Sequence, residues 1–350
     1  MNRESFKEKW IGDKAFYLKV MAILIPMIIQ QGITNFVNLL DNVMVGQLGT
    51  ASISGVAVAN QLVFVFNLMT FGLLAGASIF GAQFYGKGDT KGFQETLRFR
   101  LYSGIILAVL AWITFTLLGD TLYTLYLGGD SEVETIAFAS SYMFISCFGL
   151  VPFAIVQAVG GALKDCGETR LPMQASVLAI LTNLVLNYLL IYGKFGFPEM
   201  GVNGAALATV IARYLELLFL LVRIYARKRE LTFLHGVFDS LSLSKAILVK
   251  VVITGLPLFA NETFWSTGLT LINSCYAQRG TEAVAAISIN QTVWNLFGVV
   301  SLSMGSAIGI IAGQYLGANN FEEAKASVRK MLVLSVLINI AIGLGIGTIL

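Results

Sequence analysis

Charge is what this chain has least of. Only 12% of its 350 residues are Asp, Glu, Lys or Arg, about half the share that coats an ordinary soluble domain. Histidine is scarcer still. The single His235 leaves no zinc motif, and Cys147, Cys166 and Cys275 have no paired spacing, which excludes a metal-ligating set and a secreted disulfide scaffold. No phosphate loop is present: Gly86-Lys87-Gly88-Asp89 and Gly160-Gly161-Ala162-Leu163-Lys164 are short turns. No serine with histidine, histidine with glutamate or paired aspartates are arranged to cleave a bond, so the chain reads as a non-enzyme without cofactor. What it has instead is apolar. Hydrophobic residues make up 56% and the mean hydropathy is +0.77. Runs of about 20 apolar residues, long enough as helices to cross ~30 Å of hydrocarbon, recur from end to end.

These runs define nine spans, at roughly 18–43, 54–80, 99–119, 136–158, 173–192, 202–225, 247–273, 284–312 and 332–350. The first is too long and too polar, with Gln30, Gln31, Asn35 and Asn38, for a cleavable signal. All but three of the 23 Lys and Arg fall before the first span or on alternate connections; Lys194, Arg279 and Arg213 are the exceptions. Arg98 and Arg100 are counted here with Lys87 and Lys91 in the connection after the second span. Cytoplasmic loops retain basic residues, so the N-terminus is expected in the cytoplasm of a multi-pass protein of the cell membrane. The net charge of +3 is thus an orientation signal and implies no nucleic-acid partner.

A shift of 231 residues, the distance from Pro26 to Pro257, lays the first span on the seventh and the second on the eighth without a gap. Asn42 then meets Asn273, Phe66 meets Phe297, Gln83 meets Gln314 and Gly86 meets Gly317. Two related bundles follow, an N-terminal six-helix bundle over 1–230 and a partial second one over 240–350. Six spans precede the second copy, so both share one orientation about an axis along the membrane normal. A complete second copy would run to about residue 456, and three spans are expected beyond Leu350. Pro26 and Pro257 are read in the first turns of their spans, and Pro152 well inside the fourth, where a missing N–H permits a bend. Gly72, Gly76, Gly305, Gly309 and Gly313 read as sites of close helix packing.

Ionisable groups inside spans are costly and point to function. Four are found: Asp41, Arg213, Glu216 and Glu262. Arg213 and Glu216, three apart on one helical face, are read as a structural pair. Asp41 ends a stripe of Gln31, Asn35 and Asn38 at steps of three and four, a face unsuited to lipid. Glu262, Ser266 and Asn273 occupy the matching positions of the seventh span. Asn60, Gln61 and Asn67 in the second span, Asn290, Gln291 and Asn295 in the eighth, and Asn183 and Asn187 in the fifth extend the polar set. One reading makes these amides packing glue at ~1 kcal/mol per bond. The other lines a cavity with them, where Asp41 and Glu262 exchange a proton or Na⁺ while Gln31, Asn35, Asn38, Asn60, Gln61, Asn67, Asn290, Gln291 and Asn295 hold a substrate. The carboxylates favour the second, since neither has a basic neighbour in sequence.

The run Asp41-Asn-Val-Met-Val-Gly-Gln-Leu-Gly49, with Pro26 ahead of it and the Gly86 turn after the second span, resembles the multidrug and toxic compound extrusion (MATE) family. So do Leu163-Lys-Asp-Cys-Gly-Glu-Thr-Arg-Leu-Pro172, Asn183-Leu-Val-Leu-Asn-Tyr-Leu-Leu-Ile-Tyr-Gly193 and Gly201-Val-Asn-Gly-Ala-Ala-Leu-Ala-Thr209. The resemblance implies an all-α membrane protein of two six-helix lobes. It also implies export of cationic or amphipathic small molecules against Na⁺ or H⁺ by a monomer in the lipid bilayer. It assigns ion coupling to Asp41 with Asn183 beside it, Na⁺ at Asp41 being the one metal ion allowed. Asn187 departs from the pattern, because several relatives carry an aspartate there. Glu262 lies in the helix where another branch has its coupling glutamate, but only five residues after Pro257, earlier than that branch's spacing. A flippase for a lipid-linked precursor, from the same superfamily, is the alternative; it calls for a strongly cationic cavity, which Arg213 alone does not supply.

Overall fold

A computed structural model describes residues 10–127, 133–234, 236–240, 242–277 and 281–349; His235 lies outside them, as do the side chains of 37–39, 42, 50, 277, 281–297 and 345–349. The described secondary structure is entirely helical. In chain order the helices are α1 (Lys14–Gly46), α2 (Thr50–Lys87), α3 (Thr90–Leu127), α4 (Val133–Ser146), α5 (Leu150–Asp165), α6 (Arg170–Tyr192), α7 (Gly201–Ala226), α8 (Lys245–Ala277), α9 (Thr281–Gly317) and α10 (Phe321–Ile349). Nine candidate membrane spans are present among the described residues, α4 and α5 counting as one. Helices are what an apolar run must form in lipid, where every backbone N–H and C=O has to be satisfied within the segment. Large side chains such as Leu117, Leu125 and Phe264 are three-quarters exposed on the outer faces, as lipid contact allows.

The helices overrun the apolar stretches, because polar residues cap them. Asp13 accepts the Phe16 N–H at 2.8 Å and starts α1 four residues before the apolar run. Gly88 closes α2 in the left-handed conformation (φ 76°) and Asp89 accepts the Gly92 N–H at 3.0 Å to open α3, so two residues turn the chain between bundle-length helices. This corrects the placement of Pro26 and Pro257, which sit well inside α1 and α8 and not in their first turns. The fourth span does break near its proline. A 3₁₀ turn at Cys147–Gly149 separates α4 from α5 just before Pro152, which has no N–H and whose ring would press on the carbonyl of Phe148.

The helix starts preserve the sequence repeat: Lys14 pairs with Lys245, Thr50 with Thr281 and Thr90 with Phe321, at one constant spacing. Between the two halves, α2 packs on α8 and α9, while α1 packs on α9 through Val20, Ile23, Leu24 and Met27 against Met304, Ala307, Ile310 and Ile311. Glycine permits the close crossings. A Cβ on Gly76 would fall on the Gly255 backbone, and one on Gly72 would lie 3.0 Å from the Phe259 Cα. Gly313 meets the Ala82 side chain in the same way, but Gly305 and Gly309 have open space around them, so the packing role expected of those two is not seen.

Arg98 and Arg100 also need correction. Both lie within α3 and are buried, at 7% and 1% exposure, and do not sit in a loop. Arg98 donates to the carbonyls of Val237, Ser242 and Gly236, holding the connection between α7 and α8 onto the first bundle. Ser244 N–H, bonded to Glu95 at 2.9 Å, fixes its far end. Hydrogen bonds to a charged donor contribute about 1.5–3 kcal/mol, so Arg98→Ala is expected to speed tryptic cleavage at Arg227 to Arg229 in permeabilised membranes roughly tenfold. An unchanged cleavage rate would mean that the connection is held by something else.

Candidate functional site

Asp41 meets α6 near the end of α1. Asn187 Nδ2 donates to Asp41 Oδ1 at 2.6 Å. Asn183 lies one turn back on the same face of α6, and in the amide orientation that satisfies both its ends, its nitrogen reaches Asp41 Oδ2 at 3.0 Å while its oxygen accepts from the Thr209 hydroxyl and N–H at 3.1 and 3.2 Å. Asn183 and Asn187 are buried, at 7% and 1% exposure, and Asp41 is partly exposed. The three residues that the sequence singled out for ion coupling in the first half are therefore one cluster. Thr209, on α7, completes it and was missed as a site residue; its place at the end of the Gly201 to Thr209 motif was the available signal.

The chemistry of this cluster follows from its donors and acceptors. Two amide N–H groups converge on one carboxylate, each donating to a different oxygen. No ion pair to Asp41 forms among the described residues. Asn187 Oδ1 is buried and has no hydrogen-bond partner among them, although such an acceptor is costly to leave unmade. An unpaired amide oxygen beside a carboxylate and a hydroxyl is a donor set suited to a small hard cation, and the carboxylate alone suffices for a proton. Metal sites built from three or more His, Cys, Asp or Glu are absent among the described residues.

Arg213 and Glu216 form the expected pair, Nη1 to Oε2 at 2.9 Å. Glu216 is 2% exposed, and its other oxygen accepts from Ser176 Oγ at 2.7 Å, which in turn accepts from Gln30 Nε2 at 2.7 Å. A second buried pair, Arg100 with Asp165, was not foreseen as intramembrane chemistry; Arg100 also donates to Ser78 at 3.2 Å. Burial and the Asp165 carboxylate push the neighbouring Cys166 thiol up, so it stays protonated and is a poor nucleophile.

The remaining polar residues are dispersed. Asn60 Oδ1 accepts from the Tyr142 hydroxyl at 3.2 Å, and Gln61 Nε2 donates to Thr270 at 2.7 Å, a bond between the two halves. Glu262 lies against Gly72 on α2, partly exposed, with no hydrogen bond or ion pair among the described residues. It shares no bond with the Asp41 cluster. Ser266 is fully buried and turned back on the Thr263 carbonyl. Gln31 is exposed, and Asn35 and Asn67 are partly so. Asn38, Asn42, Asn290, Gln291 and Asn295 fall outside the residues whose side chains are described.

Comparison with known proteins bears on this arrangement. Over 308 residues the chain is 28% identical to "Probable multidrug resistance protein NorM" of Thermotoga maritima, covering 87% of this chain and 64% of that one. With "Probable multidrug resistance protein YoeA" of Bacillus subtilis it shares 29% over 311 residues, 87% of this chain and 66% of the relative. The chain thus spans just under two thirds of these relatives' lengths. A solved MOP superfamily transporter from Pyrococcus furiosus superimposes with a TM-score of 0.81 at 23% identity, over 99% of this chain and 73% of that one. The MatE family model matches residues 26–189 and again 257–346, the second match beginning at Pro257 as the first begins at Pro26. With most of its length matched in two copies that coincide with the structural repeat, the chain belongs to the MatE family.

Proposed function

We propose that the protein containing this chain is a secondary-active antiporter, exporting cationic or amphipathic small molecules in exchange for inward Na⁺ or H⁺. The observation that carries this is the Asp41 cluster: an intramembrane carboxylate held by amides, with no basic partner among the described residues, beside an amide oxygen that has no hydrogen-bond partner among them. A permanently neutralised carboxylate could not gain and lose a cation; this one can. The two bundles, the first over 1–230 and the second over 240–350, rock against each other around a fixed site, and the α2 contacts with α8 and α9 are where they move. The basic residues of alternate connections support a cytoplasmic N-terminus. The polar residues of α1, α2 and α9 are assigned to the substrate path, Glu262 to a second ion position in the other bundle. The protein works as a monomer in the cytoplasmic membrane. The names of the relatives, which speak of multidrug resistance, accord with this reading. A flippase gains no support from Arg213, whose charge is taken up by Glu216.

The test is export of a cationic dye or norfloxacin by the full-length protein in vesicles, with Na⁺ and H⁺ gradients imposed separately. Export should follow one gradient or both and collapse with it. Export that ignores both gradients and requires ATP would overturn the assignment.

A further inference from the structure

Helix α1, which carries Asp41, is tied to α6 at three levels. At the lowest, Pro26 has no N–H, so the Ala22 carbonyl lacks its partner one turn ahead; the Thr169 hydroxyl, 1% exposed at the start of α6, lies 3.4 Å from it. At the middle level Gln30 bonds to Ser176, and at the top Asp41 bonds to Asn187. The sequence separation is the same in these last two bonds, 146 residues, so α1 and α6 run side by side in register. The two bonds are three helical turns apart, about 16 Å.

The middle tie is directional. A serine hydroxyl has one hydrogen, and Ser176 spends it on Glu216 Oε1, which leaves its oxygen to accept from Gln30. Arg213 holds the Glu216 carboxylate aimed through Oε2, and its guanidinium rests 5.0 Å from the Phe153 ring centre on α5. Lys164 of α5 is a further charge within electrostatic reach of Glu216. An ion pair with only a structural task would have no need to pass its polarity, through a serine, to the helix bearing a carboxylate.

We propose that Ser176, Glu216 and Arg213 form a lock on α1 that positions Asp41 for ion exchange. Arg213 and Glu216 orient the Ser176 hydroxyl, Ser176 holds Gln30, and α1 between Pro26 and Asp41 is thereby kept in register with Asn187. Exchange of the ion at Asp41 breaks the upper bond; the lower lock decides how far α1 follows. The proposal rests on the reading of Asp41 as the coupling carboxylate.

The experiment compares the full-length wild-type protein with Ser176→Ala and Ser176→Thr. Three quantities are read: hydrogen exchange of the α1 amides between residues 27 and 41, the concentration of Na⁺ or H⁺ giving half-maximal export, and the melting temperature. An intramembrane side-chain bond contributes about 0.6 kcal/mol on average, near threefold in an equilibrium. Ser176→Ala should therefore raise α1 exchange and shift the half-maximal ion concentration by about threefold or more, and Ser176→Thr, which keeps the hydroxyl, should restore both. If Ser176→Ala lowers only the melting temperature, leaving α1 exchange and ion dependence at wild-type values, the network is structural and the lock is wrong. If the wild-type protein shows no ion-driven export at all, the coupling reading fails and the positioning role with it, even where α1 exchange responds to the substitution.

Discussion

Asp41→Asn should lower ion-driven export by roughly thirtyfold or more, with the fold intact. Removing one charge from a buried, hydrogen-bonded set costs about 2 kcal/mol or more, and each ~1.4 kcal/mol is tenfold in an equilibrium constant. The substitution keeps the volume of the side chain, so packing between α1 and α6 survives. What it loses is specific. Asn has one oxygen where Asp has two, and both Asn187 and Asn183 offer an N–H there, so one of the two amides is left facing a donor. The site can no longer change its charge with the ion. Export at wild-type rate in a well-folded Asp41→Asn protein would remove this cluster from the coupling mechanism.

Gly317→Val should force α2 and α9 apart at the end opposite Asp41. The two helices cross there by backbone contact: a Cβ on Gly317 would meet the Gln83 carbonyl, and one on Gly86 would meet the Gln314 carbonyl. These are two copies of one contact, because Gln83 matches Gln314 and Gly86 matches Gly317 in the repeat. A carbonyl on a helix cannot swing aside as a flexible side chain can, so the substitution carries the full cost of overpacking, about 1–3 kcal/mol. Gln314 also donates from this contact to the Asp165 carbonyl at 2.8 Å, tying α9 to the turn that contains Cys166. That thiol is a native reporter. Opening the crossing should increase its labelling by a maleimide applied to inside-out vesicles about tenfold, a modest ~1.4 kcal/mol in the closed-to-open balance. Labelling and melting temperature equal to wild type would show that the helices are not held at this contact.

Much of the architecture was readable because lipid imposes strict rules. Nine apolar runs had to be helices, and a constant offset between Pro26 and Pro257 had to mean two related units; the paired helix starts follow the same offset. Asp41, Asn183 and Asn187 were readable as candidates because a carboxylate at membrane depth is expensive and amides four apart share a face. Other features were hidden for physical reasons. Lys and Arg near the end of an apolar run look the same whether they sit in a turn or inside a helix, so Arg98 and Arg100 were counted with the loops. Hydropathy does not register capped turns such as the one at Asp13, so Pro26 and Pro257 were placed too near the helix starts. Small residues at helical spacing do not reveal which faces meet, so Gly313 packs closely while Gly305 and Gly309 do not. The link from Gln30 through Ser176 to Glu216 joins three helices, and no local pattern in any one of them announces it.

In the proposed function, Asp41 carries the ion that moves against the substrate. The most direct test measures the ion itself, in proteoliposomes of the full-length protein loaded with an exported cation and given no ion gradient. Substrate leaving down its gradient should drive Na⁺ or H⁺ uphill in the opposite direction in the wild type and should drive neither in Asp41→Asn. Uphill ion movement of wild-type size in Asp41→Asn would contradict the account.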